Sequence, residues 1–203
     1  MLEEEYEKTR RRLPHHLRRG EAERPFSFTI RPVRESDIPD IREIYNYYVT
    51  NSVVTFDEKR WTLAQWREKF EHLQKLGMPF LVAVGPTGQI LGYALVQPLS
   101  AKSGYRYSVE NTIYLGQAAT GKGLGSALLR ALIAASEEAG IHQMVAVISD
   151  KGAEASVALH ERMGFVEVGR MGRVGFKFGR WLGTIYLQKQ LKPVKKKRSL
   201  FRR

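Results

Sequence analysis

The sequence predicts a single mixed α/β domain, and two observations indicate that class. In four segments, apolar residues recur every three or four positions, as they do in amphipathic helices. In seven others, short runs of β-branched and aromatic residues lie between turn residues, which is typical of strands. The segments follow one another in the order βααβββαβαββ, without an internal repeat. This alternation predicts a mixed α/β fold rather than an all-helical or all-strand one.

Local signals predict where the helices begin and end. Ser36 is a candidate N-cap for the first helix, and Thr62 with Gln65 forms a capping-box pattern in front of the second. Gly140 is a suitable residue to end the third helix, and a shorter fourth helix is expected at 155–163. The strands are predicted at 28–33, 80–84, 90–97, 105–115, 144–148, 165–170 and 181–188.

Composition excludes several classes of protein. The 203 residues contain no cysteine, which excludes a disulfide scaffold, a cysteine-ligated metal and a cysteine nucleophile. The longest apolar run, at 127–135, is interrupted by Arg130 and is far shorter than the roughly 20 residues of a membrane span. The N-terminus is charged from Glu3 onward and resembles no signal peptide, so the cytoplasm is the expected location.

The distribution of charge divides the chain into three parts. A charged arm is expected at 1–24, a folded domain at 25–191 and a basic tail at 192–203. The formal net charge is +12, and the tail holds seven basic side chains and no acidic one. Such a tail could bind nucleic acid or another anionic surface by releasing counterions, or it could be a solvated segment without a partner.

A glycine-rich turn precedes the third helix. Its residues are Thr120, Gly121, Lys122, Gly123, Leu124, Gly125 and Ser126. Glycines let backbone N–H groups approach a ligand, and a helix N-terminus adds partial positive charge, so the turn suits a pyrophosphate. A Walker P-loop is excluded because no Gly-Lys-Ser/Thr triplet ends the turn. A tight connection without a ligand is the alternative.

The position of this turn after the fourth strand resembles the pyrophosphate loop of the GNAT N-acetyltransferase superfamily, Gln/Arg-x-x-Gly-x-Gly/Ala. Gly123 and Gly125 match its glycines. Five further blocks, between about residue 28 and residue 191, are similar to the phosphinothricin and methionine sulfoximine acetyltransferase subfamily. These blocks are 44–46, 108–111, 112–115, 156–161 and 174–181. Three positions depart from the family patterns: Thr120 replaces Gln or Arg, Ala153 replaces Asn, and Gly183 replaces Asp.

The resemblance implies the GNAT fold, a central mixed and mostly antiparallel sheet flanked by helices. It implies acetyl-CoA as co-substrate, no metal, and transfer of the acetyl group to a small amino-acid-like amine by direct attack in a ternary complex. Ile113, Tyr114 and Leu115, together with the glycine turn, are the implied cofactor-binding residues. A homodimer formed through strands near the C-terminus is also expected.

Acetylation of an amine requires a base, a donor for the oxyanion and a proton for the departing thiolate. Glu110 matches the proposed base of the subfamily, whereas alternation along 105–115 would also allow it to pair with Arg106 on one polar face. A β-bulge, which the resemblance implies, would shift that register. The Leu115 backbone N–H is the implied oxyanion donor. His160 occupies the place of a thiolate-protonating Tyr, with a structural histidine as the alternative.

An amino-acid-like substrate carries a carboxylate and a polar head, which accept hydrogen bonds from lysine or arginine. The candidate substrate-binding residues are three cations and three aromatic side chains that could wall a pocket. They are Lys102, Arg106, Lys177, Phe56, Tyr107 and Trp181. Each also has a structural interpretation, as a solvated charge or as part of the core.

Two other functions remain open at the level of the sequence. A GNAT enzyme can acetylate a protein N-terminus, a lysine or a polyamine on the same fold. Alternatively, the basic tail could belong to a non-catalytic nucleic-acid-binding protein. Nucleic-acid retention that is lost on deletion of 192–203, without binding of CoA, would favour the second.

Overall fold

The apolar strand segments pair into one seven-stranded sheet in the computed structural model, which describes residues 26–194. The order of strands is β1-β2-β3-β4-β5-β7-β6. The strands are β1 (Thr29–Pro32), β2 (Phe80–Val84), β3 (Ile90–Pro98), β4 (Ser108–Leu115), β5 (Gln143–Ser149), β6 (Val166–Lys177) and β7 (Arg180–Gln190). The helices are α1 (Ile38–Asn51), α2 (Leu63–Lys75), α3 (Leu124–Glu138) and α4 (Glu154–Arg162). The predicted order of elements is confirmed.

The predicted arm at 1–24 and most of the predicted tail, residues 195–203, lie outside the described residues. None of the described helices combines the length and the apolar character needed to cross a bilayer.

Helices cover both faces of the sheet and create two apolar cores. On one face, Leu124, Leu128 and Leu132 of α3 are fully buried against the strands. On the other face, Trp66 and Leu73 of α2 pack with buried residues of α1 and with β2 and β3. Burying each such side chain contributes about 1.5–3 kcal/mol. Because both faces are covered, β2 and most of β3 form continuous apolar runs rather than alternating ones.

The sheet is antiparallel except where β4 lies beside β5. These two strands are parallel and pair only from Ser108 with Gln143 to Asn111 with Ala146. Beyond that point, β4 continues along β3, whereas β5 continues along β7. The two strands therefore separate, and a gap opens between their carboxyl ends.

The predicted strand at 105–115 begins later than expected. Residues Ser103–Tyr105 form a 3₁₀ turn, and the Arg106 N–H donates to the Ser103 carbonyl at 3.2 Å. Arg106 therefore does not share the strand face of Glu110, and that prediction was wrong. The ladder between β3 and β4 runs without a register shift, so β4 carries no bulge in that ladder.

Two further boundaries differ from the prediction. Ser36 is not the cap of α1, because it lies within a 3₁₀ turn formed by Glu35–Asp37. The Asp37 carboxylate accepts the Arg34 N–H at 2.8 Å and binds the Arg31 guanidinium at 2.7 and 2.9 Å, which lowers the pKa of Asp37. Strands β6 and β7 are longer than predicted, since a register shift before Gly175 lets their pairing continue to a turn at the tip.

The capping box at α2 gives a direct test of local stability. Thr62 Oγ1 accepts the Gln65 N–H at 3.2 Å, and Gln65 Oε1 accepts the Thr62 N–H at 2.8 Å. Replacing Thr62 by Ala should lower the free energy of unfolding by about 1 kcal/mol, because a helix-end donor loses its acceptor. Urea denaturation measures this loss. Thr62→Ser keeps the hydroxyl and should retain most of the stability; an equal loss in both variants would contradict the capping explanation.

Candidate active site

The gap between β4 and β5 opens into a cavity of about 690 Å³. Its walls come from both faces of the sheet, from the start of α3 and from α4. Nine of the residues predicted from sequence lie on these walls. They are Phe56, Glu110, Ile113, Tyr114, Leu115, Thr120, Gly121, Gly125 and His160.

Glu110 projects from β4 into the part of the cavity that α1 and α2 enclose. Burial raises the pKa of its carboxyl group, while a hydrogen bond from Gln97 and the charge of Lys69 act to lower it. The predicted alternative, pairing with Arg106, is absent. The Arg106 guanidinium instead lies 4.7 Å from the Tyr107 ring centre and donates to the Ser103 carbonyl at 3.3 Å. Glu110 is thus a half-buried carboxylate that faces a cavity.

Lys69 is a functional candidate that the sequence analysis missed. Its ammonium group donates to Gln97 Oε1 at 2.9 Å and lies 5.4 Å from the Trp61 ring centre. Burial lowers its pKa. Among the described residues, it is the only lysine or arginine on the cavity wall. Lys69 follows Trp66 by three residues and so lies on the apolar face of α2, a signal in the sequence that could have identified it.

An aromatic wall surrounds Glu110 and Lys69. It consists of Tyr45, Trp61, Trp66, Tyr93 and Tyr114, whose neighbouring ring centres lie 5.3–5.8 Å apart. The indole Nε1 of Trp66 and the hydroxyl of Tyr93 are buried and have no hydrogen-bond partner within residues 26–194. Buried polar atoms are normally paired, so these two are unsatisfied donors of residues on the cavity wall.

The free edge of β4 supplies backbone donors to the gap. The Gly116 N–H points towards β3 and donates to the Leu91 carbonyl at 2.8 Å. Because backbone groups alternate along a strand, the N–H groups of Ile113 and Leu115 point away from β3, into the gap. The Leu115 carbonyl accepts the Tyr48 hydroxyl at 2.7 Å, which holds this end of the strand in place.

The glycine turn leads into the start of α3. Gly121 and Gly123 have φ angles of 73° and 79°, in the left-handed region that favours glycine. Gly123 is the N-cap, and no side chain caps the helix. The first helical N–H bonded to this turn is that of Ala127, which donates to the Gly123 carbonyl at 3.2 Å. The N–H groups of the first turn therefore remain available to an anion.

Other predicted residues of the turn lie off the cavity wall. The Lys122 ammonium group lies 5.0 Å from the Phe26 ring centre, and Leu124 is buried in the core. Gly123 and Ser126 do not line the cavity either. Thr120 is on the wall, but its hydroxyl donates to the Gln117 carbonyl at 2.9 Å. The turn thus offers its backbone, not its side chains, to a ligand.

His160 is almost fully buried and its ring is held at both nitrogens. Nδ1 lies 2.8 Å from the Ser156 carbonyl, and Nε2 lies 2.9 Å from the Asn111 side-chain nitrogen. A carbonyl can only accept, so Nδ1 carries the proton of the neutral ring. Burial lowers the pKa of His160 and favours that neutral form. Nε2 then has no proton to donate, and the predicted acid role would require the ring first to gain one.

The remaining predicted substrate residues are not brought to this cavity. Lys102 and Arg106 line a second cavity of about 980 Å³, which shares Trp61, Lys69 and Gln97 with the first. Lys177 and Trp181 line neither cavity, and nor does Tyr107, whose ring packs against His142. The Lys177 side chain is buried and donates to the Thr55 carbonyl at 2.8 Å, while Trp181 is 49% exposed.

Two of the three departures have structural consequences. Ala153 is buried at the start of α4 and lies on the cavity wall. The Gly183 N–H donates to the Asp150 carboxylate at 2.8 Å, and a Cβ at Gly183 would lie 2.6 Å from that carboxylate. A side chain at 183 is therefore incompatible with this contact, in which Asp150, the residue directly after β5, supplies the carboxylate.

Within the described residues, no group of three His, Asp or Glu side chains could hold a metal ion. The cavity instead offers backbone N–H groups, one carboxylate, one ammonium group and an aromatic wall. This set can bind a polar ligand and accept a proton from it.

Comparison with known proteins places this arrangement in a family. A family model described as an acetyltransferase (GNAT) domain matches residues 30–185. An L-methionine sulfoximine/L-methionine sulfone acetyltransferase of Pseudomonas paraeruginosa is 40% identical over 169 residues, 83% of this chain and 98% of that protein.

Two solved structures have the same fold. A phosphinothricin acetyltransferase of Sinorhizobium meliloti in complex with acetyl-CoA is 38% identical, with a TM-score of 0.78 over 83% of this chain and 94% of that one. A ribosomal-protein-alanine N-acetyltransferase of Brucella melitensis is also 38% identical, with a TM-score of 0.77 over 80% of this chain and 99% of that one. The chain has the GNAT fold, its mostly antiparallel sheet flanked by helices, and belongs to the GNAT acetyltransferase family.

Proposed function

We propose that this enzyme transfers an acetyl group from acetyl-CoA to the primary amine of a small amino-acid-like substrate, by direct attack in a ternary complex. The observation that carries the proposal is the position of Glu110. Its carboxyl group faces a cavity that also reaches the gap between β4 and β5. The relatives indicate the substrate class, since they are named as acetyltransferases of phosphinothricin, methionine sulfoximine and methionine sulfone.

The acetyl-CoA half of the site is built from backbone. When bound, acetyl-CoA supplies an activated acetyl thioester. The first-turn N–H groups of α3, behind Gly121 and Gly123, suit its pyrophosphate, because they combine free donors with the positive end of a helix dipole. The Leu115 N–H, directed into the gap, is placed to stabilise the oxyanion that forms when the amine attacks.

The substrate half is built from side chains. Lys69, the Trp66 indole N–H and the Tyr93 hydroxyl are donors on one wall, and they suit the carboxylate or the sulfone-type oxygens of the substrate. Phe56 and the aromatic wall would pack along its short carbon chain. Lys102 and Arg106, on the second cavity, would attract an acidic substrate from a longer distance.

Glu110 is the proposed base. An amine must lose a proton to become acetylated, and the raised pKa of Glu110 makes its carboxylate a stronger acceptor than an exposed glutamate. No cysteine is present to carry the acetyl group. His160 would serve the departing thiolate only in its protonated form, which burial opposes.

The test of the function is CoA-thiol release from acetyl-CoA with methionine sulfone, methionine sulfoximine, phosphinothricin, spermidine and a lysine peptide. We expect turnover of the first three substrates. Glu110→Gln should lower kcat by about 10²-fold or more, because the amide cannot accept the proton. Glu71→Gln, an exposed change on α2, is the matched control and should keep the wild-type rate. Full activity of Glu110→Gln would contradict the assignment of the base.

A second candidate substrate is the N-terminus of a protein. It is favoured by the second cavity, which adjoins the first and leaves room for a chain beyond the amine. The similarity to the ribosomal-protein-alanine enzyme supports the same possibility. Adding a peptide with an N-terminal alanine to the panel separates the two, since turnover of that peptide alone would favour this candidate.

The charge of Lys69 predicts a shift in pH dependence. Lys69 lowers the pKa of Glu110, so Lys69→Met should raise it. The base works only when deprotonated, and kcat/KM falls as the pH drops through its pKa. The acidic limb of the kcat/KM profile should therefore move to higher pH in Lys69→Met. Lys75→Met, on the exposed end of the same helix, should leave the limb in place. An unmoved limb in Lys69→Met would argue that the two groups are not coupled.

A homodimer remains a proposal, and the hairpin of β6 and β7 is its best-supported interface. Strand β6 is a 12-residue edge strand that pairs only with β7. The hairpin exposes seven large apolar side chains, which is unusual for a surface without a partner. They are Val166, Val168, Met171, Val174, Phe176, Phe178 and Trp181.

Light scattering tests this interface. The wild-type protein should have the mass of two chains, and Phe176→Glu should shift it towards one, because a buried unpaired charge opposes association. Val194→Glu changes a residue that is 60% exposed outside the hairpin and should leave the mass unchanged. A wild-type mass of one chain would refute the dimer.

A further inference from the structure

Asn111 carries a buried polar atom that neither the sheet nor α4 satisfies. The residue is 6% exposed, and its Oδ1 has no hydrogen-bond partner within residues 26–194. Leaving such an acceptor unpaired costs about 1–3 kcal/mol. Asn111 lies on the cavity wall and is the last β4 residue paired with β5, so its side chain stands at the point where the two strands separate.

A chain of contacts determines which atom of the Asn111 amide is free. The Ser156 carbonyl requires a proton on His160 Nδ1, and the neutral ring then presents Nε2 as an acceptor. Asn111 must therefore turn its Nδ2 towards that nitrogen, at 2.9 Å. The oxygen is left for the cavity. His160 thus sets the orientation of a carboxamide rather than holding a proton for the reaction.

The face of the sheet restricts what the free oxygen can bind. Successive side chains alternate across a strand, so Asn111 lies on the α3 and α4 face, opposite Glu110 and the aromatic wall. A ligand that binds this oxygen must carry a hydrogen-bond donor. The pantetheine arm of acetyl-CoA carries two amide N–H groups, and one of its carbonyls suits the Ile113 N–H that points into the same gap.

We infer that Asn111 Oδ1 accepts an amide N–H of the pantetheine arm of acetyl-CoA, and that His160 is a positioning residue that holds the Asn111 carboxamide. This inference rests on the proposed function, because it requires acetyl-CoA in the gap. It assigns to the buried pair a role in binding the co-substrate, on the face of β4 opposite the proposed base.

The test is calorimetric binding of CoA and of two CoA analogues, each with one arm amide replaced by an ester. The wild-type protein should bind one analogue about fivefold to tenfold more weakly than CoA, because one hydrogen bond is lost. Asn111→Ala should bind CoA more weakly by a similar factor and should no longer distinguish that analogue. Asn51→Ala, an exposed change at the end of α1, is the matched control and should behave as wild type.

The outcomes separate this inference from the proposed function. Wild-type protein that does not bind CoA would overturn both. If Asn111→Ala binds CoA and still prefers it over the ester analogue by the same factor as wild type, the inference alone is overturned. If Asn111→Ala does not fold, Asn111→Leu, which is similar in size and has no acceptor, carries the same comparison. A wild-type protein that binds both analogues as tightly as CoA also refutes the contact.

The role of His160 has its own readout. His160→Ala should weaken binding of CoA about as much as Asn111→Ala does, while kcat at saturating acetyl-CoA changes only a few-fold. His160→Gln offers an oxygen that can accept the Asn111 Nδ2 and should recover part of the affinity. A large fall in kcat with unchanged CoA affinity would instead identify His160 as the thiolate acid and overturn the positioning role.

Discussion

The separation of β4 from β5 after Asn111 and Ala146 is the constraint on which the rest of the molecule depends. Parallel strands normally pair along their length, but here each strand continues with a different neighbour, β4 with β3 and β5 with β7. The gap leaves backbone N–H groups of β4 without a protein partner, in a region that the two cores otherwise enclose. Such unpaired groups are costly unless a ligand or water satisfies them. The same feature that weakens the sheet therefore creates the space and the donors of the proposed co-substrate site.

The sheet then divides the site into two halves with different chemistry. Glu110 and Asn111 are neighbours in sequence, yet their side chains enter opposite faces because the strand alternates. On the Glu110 face, Lys69 and the aromatic wall create a partly buried, charged environment suited to a polar amine. On the Asn111 face, His160 and the start of α3 offer hydrogen bonds and a helix terminus, suited to an amide arm and a pyrophosphate. One strand can thus hold two ligands so that they meet at its edge.

The long hairpin of β6 and β7 is connected to the substrate half. The Lys177 ammonium group binds the Thr55 carbonyl, and a Cβ at Gly175 would overlap the Phe56 ring. Phe56 lies on the cavity wall, so the hairpin helps to position it. The contact of Gly183 with Asp150 joins β7 to the end of β5 in the same region. Lys177, which the sequence indicated as a substrate-binding candidate, therefore contacts the wall segment at Thr55 and Phe56 from behind instead of lining the cavity.

Within residues 26–194, the amino-acid sequence by itself determined the order of the seven strands and four helices, the capping box at Thr62, the glycine turn and the candidacy of Glu110. These depend on local periodicity and on motifs that a short segment carries. The tertiary structure decided which cation faces Glu110. The sequence pointed to Lys102, Arg106 and Lys177, but Lys69 lies on the wall, because the packing of α2 against the sheet sets which lysine is turned inward. It also decided the contact of His160 Nε2, since the Asn111 amide meets the ring only when α4 packs beside β4, whereas the Ser156 carbonyl lies one turn earlier in the same helix. Contacts between segments distant along the chain carry no local pattern, and for that reason only the folded structure could reveal them.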